Sequence, residues 1–172
     1  MPNHVTNRIT IVCVDKQSID EFKNGCITNG AIDFNKIIPL PPFIANGNGL
    51  TVGSREDGTG RNWYKFHLDK WGTKWNAYDC SIVEQENKMI ITFDTAWSEP
   101  EEIVREIHKW FPEFLLTHEY FDEGWNFFGC KRYGALGISG GTYKDRVENE
   151  DLFMKLCIEL KGYNPDEDED EE

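Results

Sequence analysis

The sequence predicts an α+β protein with a ferredoxin-like, split βαβ sandwich, in which an antiparallel sheet carries helices on one face. Two sequence patterns and the order of the elements along the chain support this fold class. Two segments with helical periodicity each follow a β-rich run, and two β-rich runs are separated by only two residues. In chain order the elements are β-α-β-β-α-β. A long insert follows the first helix, and a hairpin and a helix extend the C-terminus.

The first strand and helix lie at the N-terminus. Residues 5–14 are β-rich and predict a strand. Ser18 and Glu21 form an S-x-x-E capping box, which predicts the start of a helix, and Asn29-Gly30 predicts its end.

The insert spans residues 31–79. Its residues 46–60 are rich in glycine and predict a loop, whereas residues 62–71 have aromatic side chains at helical spacing. This insert is expected to pack over the sheet or to form a lid or a binding surface, and the sequence leaves these possibilities open.

The second half of the fold begins with a hairpin. Residues 78–85 and 88–94 flank Glu86-Asn87, which is typical of two strands joined by a tight turn. Ser98 and Glu101 form a second capping box before an apolar helical stripe. The remaining elements are predicted as a strand at 114–121, a hairpin at 124–143 and a helix at 149–161.

The length of 172 residues suits a single domain at residues 1–165, followed by an acidic tail. The net charge is −13, and seven consecutive acids end the chain. Such a run repels itself and predicts disorder. The tail either keeps the protein soluble or acts as an acidic arm, which binds a basic partner or covers a basic patch on its own domain. Its residues are Asp166, Glu167, Asp168, Glu169, Asp170, Glu171 and Glu172.

Composition excludes several classes of protein. A hydrophobic content of 39% excludes wholesale disorder, and no apolar run approaches the ~20 residues of a membrane span. The N-terminus lacks the apolar stretch of a signal peptide. Five cysteines without a CxxC pair indicate free thiols in a reducing cytoplasm. We therefore expect a cytoplasmic protein without a metal, a cofactor or a membrane partner. The oligomeric state is not indicated.

The most unusual local feature is the segment 58–78, which is basic and aromatic in an acidic chain. It holds four basic residues against one acid, and six aromatic residues. Bases between aromatic rings are typical of single-stranded nucleic-acid binding, although the same rings would also serve as core. The candidate binding residues are Arg61, Lys65, Trp71, Lys74, Trp75, Asn76 and Trp97.

No catalytic residue is predicted. Residues 137–141 match G-x-S-x-G, but the nucleophile elbow needs a later histidine, and none follows His118. The match is interpreted as a glycine-rich turn. His118 alternates with Leu116 and Tyr120 along a strand and is interpreted as structural.

Short segments also carry a resemblance to a known family. They are Pro2-Asn3 with Asn7-Arg8-Ile9-Thr10-Ile11, Phe34-Asn35-Lys36-Ile37-Ile38-Pro39, Trp71-Gly72-Thr73-Lys74-Trp75-Asn76-Ala77-Tyr78 and Phe93-Asp94-Thr95-Ala96-Trp97-Ser98-Glu99-Pro100. Over roughly residues 1–130 the chain resembles the YubB-like family of phage and plasmid proteins, whose members carry a ferredoxin-like domain. The resemblance implies a mobile-element origin and a cytoplasmic setting, and it implies no catalytic residues.

Three functions are therefore expected, in this order. The first is a non-enzymatic interaction protein of a phage or mobile element, which inhibits a host defence protein by occupying it. The second is a single-stranded nucleic-acid-binding module that uses residues 61–78. The third is a protein that binds or processes a nucleotide-like small molecule, in a pocket lined by Trp71, Trp75 and Trp97.

Overall fold

A computed structural model of the chain describes residues 3–13, 15–42 and 63–167. In these ranges the strands lie at His4–Val12 (β1), Ile27–Thr28 (β2), Ala31–Ile32 (β3), Tyr78–Gln85 (β4), Lys88–Ala96 (β5), Leu115–Asp122 (β6), Phe128–Gly134 (β7) and Gly137–Tyr143 (β8). The α-helices that lie wholly within the described residues are Lys16–Cys26 (α1), Phe34–Ile37 (α2), Trp63–Lys70 (α3), Glu101–Trp110 (α4) and Glu150–Leu156 (α5). A 3-10 turn at Arg146–Glu148 precedes α5, and a π-helical turn at Cys157–Lys161 continues it.

The main sheet has six strands in the order β4-β5-β1-β6-β7-β8, and every neighbouring pair is antiparallel. The four strands β4, β5, β1 and β6, with α1 and α4 as crossovers, have the ferredoxin-like order. The predicted fold class is therefore confirmed. The hairpin β7-β8 widens this sheet beside β6, as the C-terminal extension predicts.

The first core lies between the sheet and helices α1 and α4. Alternate side chains of a strand point to opposite faces, and Ile9 and Ile91 face the helices. They pack with Phe22 of α1 and with Ile103 and Ile107 of α4, all fully buried. Apolar side chains at helical spacing thus cover one face of the sheet, which agrees with the sequence.

The C-terminal helix packs on the opposite face of the sheet. Phe153 of α5 contacts Phe121 and Phe128, with ring centroids 5.2 and 5.3 Å apart. These residues form a second core with Leu156 and Cys157. The ferredoxin-like pair of helices lies on one face, and the extension covers part of the other.

Charged side chains hold the C-terminal helix in place. The Glu119 carboxylate on β6 is almost fully buried and accepts hydrogen bonds from Arg8 Nε at 2.8 Å and from Lys155 Nζ at 2.6 Å. Burial raises the pKa of Glu119, but the bonds from Lys155 and Arg8 outweigh it and lower this pKa. Arg8 also pairs with Glu159 of the π-helical turn.

Both predicted capping boxes are wrong in their details. Helix α1 begins earlier than Ser18, because the Asp15 carboxylate accepts hydrogen bonds from the backbone N–H groups of Gln17 and Ser18, each at 3.2 Å. Helix α4 has Pro100 at its N-cap and no side-chain cap. The Ser98 hydroxyl instead donates to the carbonyl oxygen of Gly72.

The G-x-S-x-G match lies in strand β8 rather than in a turn. Ser139 pairs with Arg132 across the β7-β8 ladder. A strand position lacks the strand-to-helix turn that a nucleophile elbow requires, so the match carries no catalytic serine.

The acidic tail is described only at its beginning. Asp166, which the sequence assigns to the disordered tail, forms an ion pair with Arg146 at 2.7 Å. Residues 168–172 and the whole glycine-rich loop at 46–60 lie outside the described residues, together with Arg61. No helix in the described part of the chain is long and apolar enough to cross a membrane.

Candidate functional site

Trp71 belongs to the core, which corrects its assignment as a binding residue. Its side chain is 3% exposed, and its ring stacks on His67 with centroids 3.8 Å apart. Its indole N–H donates to the carbonyl oxygen of Ile38 at 2.9 Å. Trp71 therefore joins α3 to the residues after α2, and its ring is not available to a ligand.

Asn76 also has a structural role. Its Oδ1 accepts hydrogen bonds from the backbone N–H groups of Phe34 and Ala77, both at 2.9 Å, and its Nδ2 donates to Asp33 Oδ1. Both polar atoms of its side-chain amide are thus used within the fold, and Asn76 fixes the loop that leads into β4.

Two loops meet at one end of the sheet, and their contacts place Trp75 and Trp97 side by side. The buried Thr73 hydroxyl donates to the carbonyl oxygen of Ala96 at 2.8 Å, and Ser98 bonds to Gly72. Trp97 itself has φ of 75°, a left-handed backbone conformation that few tryptophans adopt. The loop before β4 is therefore fastened to the loop after β5.

The Lys74 ammonium contacts both of these tryptophan rings, and we name the three residues the tryptophan clamp. Lys74 Nζ lies 4.8 Å from the ring centroid of Trp75 and 4.6 Å from that of Trp97. Both distances are within the range of a cation–π interaction. Trp75 is 38% exposed and Trp97 is 41% exposed, so both rings present surface to a partner.

Other aromatic residues support the clamp from the sides. Tyr64 of α3 meets Trp97 edge to face, with centroids 6.3 Å apart. Tyr78 of β4 meets Trp75 at 6.4 Å. These contacts orient the two rings and leave the lysine in contact with both.

Three carboxylates, those of Asp79, Asp94 and Glu123, lie near Tyr78 at this end of the sheet. The Tyr78 hydroxyl lies 2.7 Å from His4 Nδ1. Burial, together with the charges of Asp94, Asp79 and Glu123, raises the pKa of Tyr78 to about 12. These charges act on Tyr78, which contacts Trp75, and negative charge there disfavours phosphate and favours cations.

The other predicted basic residues lie outside the clamp. Lys65 is exposed on α3, and Arg61 falls in a part of the chain that the structure does not describe. Sequence reasoning did identify Lys74, Trp75 and Trp97. It placed Trp75 and Trp97 together with Trp71 in one pocket, and it missed that Lys74 contacts both rings. It also missed the carboxylates of Asp79, Asp94 and Glu123.

A buried polar chain crosses the sheet away from the clamp. His118 Nε2 lies 3.0 Å from Asn7 Oδ1, while Asn7 Nδ2 donates to Thr95 Oγ1 and to the carbonyl oxygen of Val5. Since Asn7 Oδ1 can only accept, His118 carries its proton on Nε2. Burial, aided by the nearby Lys131 charge, lowers the pKa of His118 to about 3. The imidazole is therefore neutral at physiological pH.

A second polar cluster fastens α4 to β7. Lys131 Nζ lies 2.7 Å from Glu101 Oε2 and 3.7 Å from Glu99 Oε1. Burial raises the pKa of the Glu99 carboxyl. Within the described ranges no three His, Cys, Asp or Glu side chains converge as they would to hold a metal ion.

Known proteins share this architecture. The family described as "Ferredoxin-like domain in Api92-like protein" matches residues 70–155, which include the whole clamp. The solved structure of protein api92 from Yersinia pseudotuberculosis is similar, with a TM-score of 0.52 at 19% identity, over 66% of this chain and 40% of that one. This likeness shows the fold alone. No curated protein matches the chain. Since the family match covers half of the sequence, the chain belongs to the Api92-like proteins that carry this ferredoxin-like domain.

Proposed function

We propose that this protein is a non-enzymatic interaction protein that binds and occupies a basic surface of another protein. One observation carries the proposal: two tryptophan rings, each about two-fifths exposed, lie at an end of the sheet that also holds the carboxylates of Asp79, Asp94 and Glu123. Exposed aromatic side chains supply binding energy at protein interfaces, and negative charge selects a positive partner.

The setting that we propose is a bacterial cytoplasm, with the gene carried by a phage or another mobile element. The resemblance of the quoted segments to the YubB-like family supports this origin. The five cysteines are free thiols in the structure, which accords with a reducing compartment. A host defence protein with a cationic nucleic-acid groove is the kind of partner that a protein of net charge −13 would occupy.

Two other functions are less well supported by the site. For nucleic-acid binding, Trp71 is buried, Lys74 is held by its own tryptophans, and the surrounding carboxylates repel phosphates. For small-molecule binding, Trp71 would have to share a pocket with Trp75 and Trp97. It packs instead against His67 and Ile38, inside the insert.

A pull-down from lysate of the bacterial host, with and without nuclease, tests the proposed function. We expect the protein to retain a host protein after nuclease treatment, with the partner identified by mass spectrometry. A gel shift with single-stranded oligonucleotide at about 50 mM salt should show no binding. Capture that disappears with nuclease, or a clear gel shift, would contradict the proposal.

A pair of charge variants tests which surface binds the recovered partner. Asp79→Asn with Glu123→Gln removes two charges beside the clamp, and Glu113→Gln with Asp151→Asn removes two exposed charges elsewhere. Partner binding should depend on the charges that lie beside the interface. Only the first pair should therefore weaken it, by about tenfold. Equal effects of both pairs would contradict this location of the interface.

A further inference from the structure

Within the described part of the chain, the Lys74 ammonium is held by aromatic rings alone. Its Nζ lies at nearly equal distances from the ring centroids of Trp75 and Trp97, 4.8 and 4.6 Å. No carboxylate of the described residues forms a salt bridge with it, although the chain has many more acids than bases. The two rings therefore attract a cation through their quadrupoles, with no carboxylate of the described residues paired to it.

The two rings are fixed more firmly than the lysine that contacts them. Their loops are fastened by Thr73 to Ala96 and by Ser98 to Gly72, and the Thr73 hydroxyl is fully buried. Gly72 has φ of +79°, and a β-carbon at this position would crowd the carbonyl oxygen of Glu99. Other residues therefore fit poorly at this turn. Lys74 reaches the rings only through its flexible four-carbon chain, so its ammonium is replaceable.

We propose that Trp75 and Trp97 form a binding slot for an arginine side chain of the partner protein, and that Lys74 fills this slot until the partner displaces it. The inference rests on the proposed function and names the chemistry that the surface recognises. A guanidinium is planar and more weakly hydrated than an ammonium, so it stacks between two indoles better than the lysine does. The nearby carboxylates of Asp79 and Glu123 add attraction for the incoming charge.

The test uses the full chain and two matched peptides. One is a capped pentapeptide with a central arginine between glycines, and the other carries citrulline, its uncharged isostere, in the same place. Binding is followed by NMR through the indole N–H signals of Trp75 and Trp97, assigned with Trp75→Phe and Trp97→Phe. We expect the arginine peptide to shift both signals and the citrulline peptide to shift neither.

Substitution of the resident lysine makes the test specific. Lys74→Ala empties the slot and should tighten binding of the arginine peptide about fivefold. Lys74→Met removes the same charge but keeps the slot filled, so it should tighten binding less than Lys74→Ala. Lys65→Ala is the control for loss of one positive charge on the neighbouring helix, and it should leave the affinity within about twofold.

Three results would overturn the slot. They are equal shifts with the arginine and citrulline peptides, no gain of affinity in Lys74→Ala, and displacement of the same signals by a single-stranded oligonucleotide at lower concentration. A protein partner recovered in the pull-down, together with any of these, leaves the proposed function standing and removes the slot. A positive peptide result without a protein partner leaves the slot and removes the proposed function.

Discussion

His118 shows how one buried residue makes stability depend on pH. Its imidazole is neutral in the folded protein, because burial lowers its pKa to about 3. In the unfolded chain the pKa is about 6.5. Above pH 6.5 both states are neutral and the residue has no effect on the pH dependence. Below it the unfolded state binds a proton that the folded state does not, so the free energy of unfolding falls.

We therefore predict that His118→Gln flattens the acid side of the stability profile. Between pH 6.5 and about pH 3, the wild type should lose up to about 1.4 kcal/mol per pH unit more than the variant. Glutamine retains an N–H donor for Asn7 Oδ1, so the variant should fold. Urea denaturation at several pH values measures the difference, and parallel profiles for the two proteins would show that His118 is not the residue responsible.

Trp71 and Trp75 have similar sequence surroundings but different positions in the fold. Both are tryptophans beside basic residues, and the pattern marks both as binding candidates. Burial separates them: Trp71 is covered by the insert, whereas Trp75 lies at the surface. The difference depends on the hydrogen bond from Trp71 to Ile38, a residue 33 positions earlier. The residues that flank Trp71 in the sequence do not indicate this hydrogen-bond partner.

At the scale of elements, strand β8 depends on a close approach between backbones. Gly140 has φ of +91°, and a β-carbon there would overlap the carbonyl oxygen of Cys130 on β7. Gly141, its neighbour, has open space where a β-carbon would lie. Adjacent glycines in one strand therefore have different roles.

We predict that Gly140→Ala destabilises the protein by at least about 2 kcal/mol, since it forces apart the β7-β8 ladder and strains the backbone. Gly141→Ala is the matched control and should change the free energy of unfolding by less than about 0.5 kcal/mol. Denaturant unfolding of both variants measures the two effects. Equal destabilisation would mean that the close approach at Gly140 does not limit this strand.

The elements themselves were largely predictable from the sequence. Alternation and helical spacing locate β1, the β4-β5 hairpin, α4 and the C-terminal helix, because these elements bury one face each. The errors lie at helix ends and in glycine-rich sequence. Asp15 competes successfully with Ser18 as the cap, and the glycines of β8 permit a strand where composition suggests a turn. The choice of cap and the formation of a strand from glycine-rich sequence depend on residues that are close in the fold.

At the scale of the whole molecule, the charge distribution is asymmetric. Removal of residues 166–172 leaves 24 acidic and 18 basic residues, and the net charge changes from −13 to −6. Only Asp166 of this tail has an ion pair among the described residues, with Arg146. We expect the charge of the tail to attract a basic partner over a distance.

We predict that this truncation slows association with the recovered partner by about threefold to tenfold at low salt, and that its dissociation rate stays unchanged. The effect should shrink as salt increases. Surface plasmon resonance at two salt concentrations measures both rates, and a tail of the same length with Asn and Gln is the control for charge. Unchanged association at low and high salt would exclude the tail from recognition.

The candidate site was predictable only in its parts. Composition identifies Lys74, Trp75 and Trp97, but the clamp forms because β5 brings residue 97 back beside residue 75. The sign of the surrounding charge follows from the same topology, since Asp79, Asp94 and Glu123 come from three separate segments of the chain. A segment that appears basic in sequence thus lies in an acidic surface.

Strand β6 has α1 and α4 beneath one of its faces and the C-terminal helix above the other, with His118 and Tyr120 on one side and Phe121 on the other. Its amide protons should be the last in the protein to exchange with heavy water, while the border strands β4 and β8 exchange first. The tryptophan clamp adjoins β4. A partner's arginine side chain can therefore bind and dissociate beside a border strand, where the sheet opens most readily. The central strand β6 stays folded meanwhile.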